Sequence, residues 1–369
     1  SAAAGGGGGG GTGGAGALAE GLDALLEAAE REGGGYVEWV PPGAQRCLVA
    51  LLKVQALRPG GKFKQCKELL GSVQEECGRE LEGMGVGEDT PEGAVRQQDL
   101  RRSVHYLRFA HMALEAAAYI ALTECDFEGA AGLLERVVAL NRRFPTLLHW
   151  QTSSTHLVLG TFAYCVGEPA SAVEQLELAL GTAHDQKTAT VATLQLALAL
   201  LAQDEEGSHS KALEAVTPLY RGLDRLQTAD ERAGTLFVSG VIAHRQGNGQ
   251  DAKARLSRGL KLAHTDLGNH QLVAQALNLL GALALDAGDH LQAKEMLRSA
   301  YTLAKSLRDT GSQAGSLGAH AELSAAAGDE AEEKKYRELC ARKEQAVADS
   351  ARAALQRPGA AELLAWGAG

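Results

Sequence analysis

The feature that most constrains the fold of this chain is an internal repeat of about 40 residues. An alanine recurs after a turn-forming stretch at intervals of 42, 40, 40, 41 and 38 residues. The positions are Ala130, Ala172, Ala212, Ala252, Ala293 and Ala331. A nearly constant period of this length is typical of stacked supersecondary units, each of which buries its apolar face against the next one.

A second small residue precedes each of these alanines. It lies twelve positions upstream, except in the Ala212 unit, where the longer connector AQDEEGSHSK leaves Ala197 as the candidate. The other small residues are Ala118, Gly160, Gly240, Gly281 and Ala319. Two facing small residues allow a pair of antiparallel helices to approach closely.

An apolar residue lies four positions after each alanine except the last, where Lys335 takes its place. These residues are Leu134, Leu176, Val216, Leu256 and Leu297. Gly167, Gly247 and Gly288 lie five positions before the alanine, where a first helix has to end. Each unit is therefore predicted to be a helix–turn–helix hairpin.

These offsets predict an all-α fold, a right-handed α-solenoid of tetratricopeptide-like hairpins with a period of about 40. The alternative is an ordinary helical bundle in which the spacing is coincidental. The structural repeat positions are Ala130, Gly160, Ala172, Ala212, Gly240, Ala252, Gly281 and Ala293.

The repeat also suggests a division of the chain. Residues 1–16 form a Gly-rich tract that cannot bury apolar area, so we expect it to be disordered. Helices are predicted over 17–112, with a loop near 83–95, and the repeat array over 113–340. Residues 341–369 are expected to form the rest of a capping helix and a tail that leaves the array.

No catalytic or metal-binding pattern is found in the sequence. His264, His270 and His290 are not spaced so that two of them share one helical face, and the six cysteines lack metal-ligand spacing. The net charge of −10 argues against a general electrostatic attraction to nucleic acid. The longest apolar run is about half of the ~20 residues that a membrane span needs. We therefore predict a protein that is not an enzyme and has no cofactor, no small-molecule substrate and no membrane contact.

A solenoid without catalytic residues is normally a binding surface. In a tetratricopeptide-like hairpin the first helix lines the concave groove, where amides can bond an extended peptide and apolar side chains can bury its side chains. The predicted partner-binding residues are Leu157, Tyr164, Phe237, His244, Gln275 and Asn278. The alternative is that these residues only pack against neighbouring first helices.

Four segments resemble a known family when they are taken together and in order. RPGGKFKQC (58–66), ALNRRFPTLL (139–148), LSRGLKLAHTDLGNHQLVAQALNLLGALAL (256–285) and LRSAYTLAKSLRD (297–309) are similar to the carboxy-terminal half of the plant-type tetratricopeptide subunit of the cohesin loader. The most specific part is HTDLGNHQLVAQALNLLG, within the third segment. The resemblance extends from about residue 40 to about residue 352 and suggests a piece that lacks a further amino-terminal repeat array.

The resemblance implies a non-enzymatic scaffold in the nucleus, associated with chromatin, with the cytoplasm as a further compartment. The implied partner is the amino-terminal segment of the large HEAT-repeat loader subunit, of the Nipped-B family. Cohesin and chromatin would be indirect partners, in cohesin loading for sister chromatid cohesion. The alternative is a generic tetratricopeptide adaptor in another assembly or signalling pathway.

Overall fold

The computed structural model describes residues 17–24, 41–87, 89–203 and 205–367. Within these ranges the chain is helical and has no β-strand, which confirms the all-α solenoid. The Gly-rich tract at 1–16, predicted to be disordered, lies outside the described residues.

Residues 17–24 are helical, and the longer helices begin at residue 42. They are α1 (Pro42–Leu57), α2 (Phe63–Gly83), α3 (Leu100–Thr123), α4 (Phe127–Arg143), α5 (Thr152–Cys165), α6 (Pro169–Gly181), α7 (Gln186–Gln203), α8 (Ser208–Arg221), α9 (Ala229–Arg245), α10 (Gly249–Thr265), α11 (His270–Asp286), α12 (His290–Ser306), α13 (Thr310–Ala326), α14 (Glu330–Leu355) and α15 (Ala360–Leu364). Helices α1 to α14 pair in order as hairpins, from α1/α2 to α13/α14.

Each hairpin turn is specified by a short polar sequence. The first helix commonly ends two residues before a residue in the left-handed region, such as Gly247 with φ 75° or Gly288 with φ 77°. In four of the seven hairpins an Asp or Asn then caps the second helix, because its side chain accepts a hydrogen bond from a backbone N–H of the first turn. Asn248 accepts from Asp251 and Asp289 from Gln292.

The predicted small residues bring the two helices of a hairpin into close contact. In three hairpins a glycine of the first helix lies directly under a leucine of the second. A Cβ atom on the glycine would lie 2.6 Å from the leucine Cγ for Gly160 and Leu176, 2.7 Å for Gly240 and Leu256, and 2.8 Å for Gly281 and Leu297. No larger side chain fits there unless the helices separate.

The alanines of the repeat are confirmed in five of the six units. Each has no exposed surface and lies on the fourth residue of its second helix, or on the fifth in α8. These buried alanines are Ala130, Ala172, Ala212, Ala252 and Ala293. The apolar residues four positions later are also buried, and Ala197 is buried in the unit with the long connector.

The register predicted for the last unit is wrong. Ala331 is exposed, because α14 begins at Glu330 after a turn at Gly328 with φ 73°. The fourth residue of α14 is Glu333, so the repeat interval from Ala293 is 40 rather than 38. Because alanine is common in this part of the chain, the position of one alanine does not define the repeat register. The glycine of the turn, Gly328, does define it.

The correct register also changes two other predicted positions in that unit, the small residue of α13 and the apolar residue of α14. The buried small residue of α13 is Ala321, not Ala319. The apolar position of the second helix is occupied by Arg337 rather than Lys335, and its Nε lies 2.8 Å from Oε1 of Glu333. Charged residues therefore occupy the alanine and leucine positions of this last unit.

The array bends towards its first helices. Neighbouring first helices contact one another directly, as in α3/α5, α5/α7, α7/α9 and α11/α13. The second helices lie further apart and leave grooves on the outer side, such as those between α2 and α4 and between α8 and α10. A stack that is closer on one side curves towards that side, so the first helices line the concave surface.

The curvature brings the start of the array onto its end. The backbone N–H of His270 donates to the carbonyl of Pro59 at 3.0 Å, which joins the α1/α2 turn to the start of α11. Leu307, between α12 and α13, is buried in the apolar cluster of α1, α2 and α3. Arg308 lies 3.8 Å from Glu124, after α3. The described chain therefore closes after one turn of the solenoid.

The carboxy-terminal residues extend this closure. Helix α14 first packs along α13 and then reaches α4, and α15 packs on α4, α5 and α6. The tail therefore does not leave the array, contrary to the expectation from sequence. The proposed boundaries at 112/113 and 340/341 both fall inside continuous helices, α3 and α14, so neither is a break in the structure.

Candidate protein-binding surface

One row of the concave surface is used to join neighbouring first helices. It lies three residues before the small position of each first helix. The row contains Glu115, Leu157, Leu194, Phe237 and Asn278. Most of the contacts below join a residue of this row to a neighbouring first helix, so the row acts mainly as an internal seam.

Polar members of the row bond to the next first helix. Ser154 Oγ of α5 donates to Glu115 Oε1 at 2.8 Å. Asn278 Nδ2 donates to the carbonyl of Ser312 at 3.0 Å, and its Oδ1 accepts from Ser316 Oγ at 2.6 Å. The Asn278 amide, predicted as a partner-binding group, is thus engaged within the array.

The apolar members pack in the same seam. Leu157 is 8% exposed and belongs to a buried cluster that spans α5 to α9. Phe237 is half-buried against that cluster. A Cβ atom on Gly234 would lie 3.1 Å from Leu194 Cδ1, so α9 approaches α7 closely beside this row. For Leu157 the structure therefore favours packing between first helices, the alternative that the sequence left open.

The other predicted residues keep part of their surface accessible. Tyr164 is 41% exposed, and His244 and Gln275 are half-buried. Desolvation by the surrounding protein nevertheless raises the pKa of Tyr164, while the positive charge of Arg245 opposes the shift. An exposed phenol with a raised pKa is consistent with a concave, partly enclosed surface.

Residues not predicted from the sequence complete the wall of this surface near the closure. The Arg58 guanidinium lies 5.4 Å from the centre of the Tyr119 ring, where it makes a cation–π contact. Together with Met112 and Glu115 they border a cavity of about 160 Å³ between α1 and α3. Arg58 is part of the RPGGKFKQC segment, but only the fold places it against α3.

Glu115 is the most perturbed acid of the concave surface. Its side chain is only 12% exposed, and burial raises the pKa of its carboxyl group to about 8, while the hydrogen bond from Ser154 opposes this shift. The carboxyl group is therefore largely protonated at neutral pH. His111, one turn earlier, is fully buried, and its burial lowers its pKa to about 4. The two side chains face each other without charge at neutral pH, with Nδ1 and Oε2 3.6 Å apart.

These groups do not form a catalytic arrangement. His111 Nε2 lies 3.0 Å from both Thr155 Oγ1 and Asn141 Nδ2, and all three side chains are buried. Thr155 donates to the carbonyl of Gln151. A base and a hydroxyl without a path to solvent cannot act on a substrate, so we interpret the group as a structural polar network.

Among the described residues, no group of three or more His, Cys, Asp or Glu side chains is arranged to hold a metal ion. In the same part of the chain, no helix is both long and apolar enough to cross a membrane. The six cysteines are all free thiols.

Comparisons with known proteins agree with the geometry. The family described as Tetratricopeptide repeat matches residues 231–306, which cover α9 to α12. The chain is 34% identical over 277 residues to Sister chromatid cohesion protein SCC4 of Arabidopsis thaliana. The chain is therefore similar to a sister chromatid cohesion protein, and its fold is that of a tetratricopeptide-like solenoid. The match covers 75% of this chain but only 38% of the Arabidopsis protein, so the chain spans less than half of that relative's length.

A solved structure supports the fold. A Rap protein in complex with competence and sporulation factor superposes with a TM-score of 0.51 at 15% sequence identity. The superposition covers 88% of this chain and 95% of the Rap chain. At this level of identity the likeness concerns the helical architecture alone.

Proposed function

We propose that this chain is a non-enzymatic scaffold of the cohesin-loading machinery. The observation that carries the proposal is its similarity to Sister chromatid cohesion protein SCC4 over three quarters of its length. The tetratricopeptide-like array supports it, because stacked hairpins present a long concave surface suited to an extended peptide. The corresponding location is the nucleus, on chromatin, with the cytoplasm as a second compartment.

The partner that we propose is the amino-terminal segment of the large HEAT-repeat loader subunit, of the Nipped-B family. The segment would lie along the first helices, in contact with Tyr164, His244 and Gln275, which keep accessible surface. Cohesin and chromatin would be reached through that subunit. Because the described chain closes after one turn, the segment would run through an enclosed surface rather than lie in an open groove.

Binding of the labelled amino-terminal segment to the full chain, measured by fluorescence anisotropy, tests the proposal. Tyr164→Ala is expected to weaken binding by about tenfold, as the loss of one aromatic contact of about 1.4 kcal/mol would do. Leu291→Ala serves as the matched control, since Leu291 is 74% exposed on the second helix α12 and should leave binding unchanged.

Absence of binding by the folded chain would contradict the proposed partner. Equal losses for Tyr164→Ala and Leu291→Ala would instead contradict the concave surface as its site. The location is tested separately, by imaging a fluorescent fusion in cells of the source organism. Exclusion from the nucleus throughout the cell cycle would argue against a role in cohesin loading.

A further inference from the structure

The outer face of the array has grooves between successive second helices, and the chain itself fills one of them. The groove between α4 and α6, with α5 as its floor, holds residues 358–367, which we call the terminal segment. Leu363 is 2% exposed there, and Leu364 packs beside it. The Trp366 ring lies 4.5 Å from the His156 ring on α5, measured between ring centres.

A buried amide at the end of this groove binds the backbone of the segment. Gln175 of α6 has no exposed surface, and its Nε2 donates to the carbonyls of Leu364 at 3.1 Å and Trp366 at 2.9 Å. Its Oε1 lies 2.8 Å from His156 Nδ1, which fixes the orientation of the amide. Both of its donated bonds go to main-chain carbonyls, so this contact does not depend on which side chains the occupant carries. Without an occupant the amide would exchange these two acceptors for water, and any chain that lies in the groove can offer its own carbonyls in their place.

The terminal segment can separate from the array as a short unit. It begins with Pro358 and Gly359, after the end of α14 at Leu355, so it can leave without disturbing that helix. Its helix α15 has only five residues, and an isolated helix of that length is not stable in water. The Arg142 Nη1–Glu362 Oε2 ion pair is 3.1 Å long, but both side chains are mostly exposed, so it contributes little stability.

The groove one hairpin earlier shows that the array does not need a filled groove. Between α2 and α4, over α3, a cavity of about 400 Å³ is bordered by Leu81, Leu114 and Leu140. Besides these three helices, Val86 and Gly87 of the connection after α2 border it, and no further helix of the described residues does. The occupied groove is therefore a place where a short helix is recognised, and not a requirement of the solenoid.

We propose that the groove between α4 and α6 is a docking site for a short helix of a partner protein, which displaces the terminal segment. The partner helix carries two adjacent leucines, an acidic residue before them and a tryptophan two residues after them. The leucines and the tryptophan take the places of Leu363, Leu364 and Trp366. The acidic residue meets Arg142, as Glu362 does. This site is on the outer face and is independent of the concave surface.

A peptide of residues 358–367, labelled and added to the full chain, tests the proposal. In the wild-type chain the resident segment competes with the peptide. Leu363→Ala in the chain weakens the resident segment, so we expect the peptide to bind that variant at least about tenfold more tightly than the wild type. Trp366→Ala is a second variant with the same expected effect. A peptide that itself carries the Leu363→Ala change should not bind, whereas one with the exposed Glu362 changed to Gln should lose little.

Two results would overturn the proposal. The first is the absence of saturable peptide binding to both variants, while hydrogen exchange shows that α4, α5 and α6 are intact. The second is a dimer of the wild-type chain, measured by light scattering, that becomes a monomer on Leu363→Ala. A second copy of this chain, and not a partner protein, would then be the occupant. Loss of peptide binding on Gln175→Leu in the Leu363→Ala background would support backbone capture by the buried amide.

Discussion

The seam inside a hairpin and the seam that closes the solenoid are built in different ways. In α11/α12 the glycine Gly281 lies under the buried side chain of Leu297, and the contact between them is apolar. At the closure, Ser350 Oγ donates to the carbonyl of Cys125 at 2.8 Å and accepts from the N–H of Phe127 at 3.0 Å, 223 positions away. The first seam is local and repeated. The second is long-range, partly polar and formed once.

This difference implies different roles in stability. Each hairpin seam is part of the packed core, so its loss should lower the free energy of unfolding of the array. The closing seam joins parts of the array that are already folded, so its loss should open the molecule locally. The variants below separate the two, in order of decreasing expected effect.

The largest effect is expected for Leu297→Ala in the hairpin seam. Leu297 has no exposed surface, so its truncation should cost about 2–5 kcal/mol in the free energy of unfolding, measured by urea titration with circular dichroism. Leu291→Ala on the same helix, at a site that is 74% exposed, should cost less than about 0.5 kcal/mol. Equal losses for the two variants would mean that the hairpin contact is assigned wrongly.

Gly281→Ala tests the opposite error, overpacking of the same seam. The new Cβ would lie 2.8 Å from Leu297, so we expect a loss of about 1–3 kcal/mol. Gly71→Ala in α2 is the control, because no atom lies within 4 Å of the added Cβ and the helix should gain about 0.5–1 kcal/mol. The double variant Gly281→Ala/Leu297→Ala should lose less than the sum of the single variants. Strict additivity would show that the two residues do not touch.

Glu115→Gln tests the seam between first helices through pH. The folded-state pKa of Glu115 is raised to about 8 by burial, so its contribution to stability is present below about pH 4.5 and is lost as the pH rises through 8. The wild-type chain should therefore lose on the order of 1–3 kcal/mol from this group between pH 5 and 8, and Glu115→Gln should remove that loss. Urea titrations at both pH values measure it. The account would be contradicted if Glu115→Gln lost more free energy of unfolding between pH 5 and 8 than the wild type does. The carboxyl group of Glu115 would then be charged in the folded wild-type chain.

Ser350→Ala probes the closing seam and should have the smallest effect on global unfolding. Phe127 N–H loses its acceptor, which should reduce the free energy of local opening by about 1 kcal/mol. Hydrogen exchange of the first turn of α4 should speed up while the urea midpoint stays nearly constant. Ser299→Ala is the control, since Ser299 is exposed and bonds only within its own helix. A large shift of the urea midpoint for Ser350→Ala would contradict a separable closure.

The hairpins could be predicted because their determinants are local and repeated. A glycine, a turn and an alanine at constant spacing are enough to specify the contact of Gly240 with Leu256. The same logic failed at Ala331, where alanine is abundant and the turn at Gly328 is the better marker. The packing of the row that contains Leu157 and Asn278 was left open by the sequence, because it depends on how closely the next hairpin packs.

The closure could not have been predicted from the sequence. It depends on the angle between hairpins, summed over the whole array, and a small error in each angle would separate the two ends. Its residues are also common surface types without a pattern. Arg357 and Glu135, 222 positions apart, form a two-bond ion pair only because α14 and α4 meet.

The central claim, that the array closes on itself with α14 carried back onto α4, is tested most directly by exchanging the charges of that ion pair. Arg357 Nε and Nη2 lie 3.0 and 2.8 Å from the Glu135 carboxylate oxygens. Glu135→Arg and Arg357→Glu should each increase hydrogen exchange of residues 360–366, and the double variant should return it close to the wild-type rate. Additive increases in the double variant would contradict the closure.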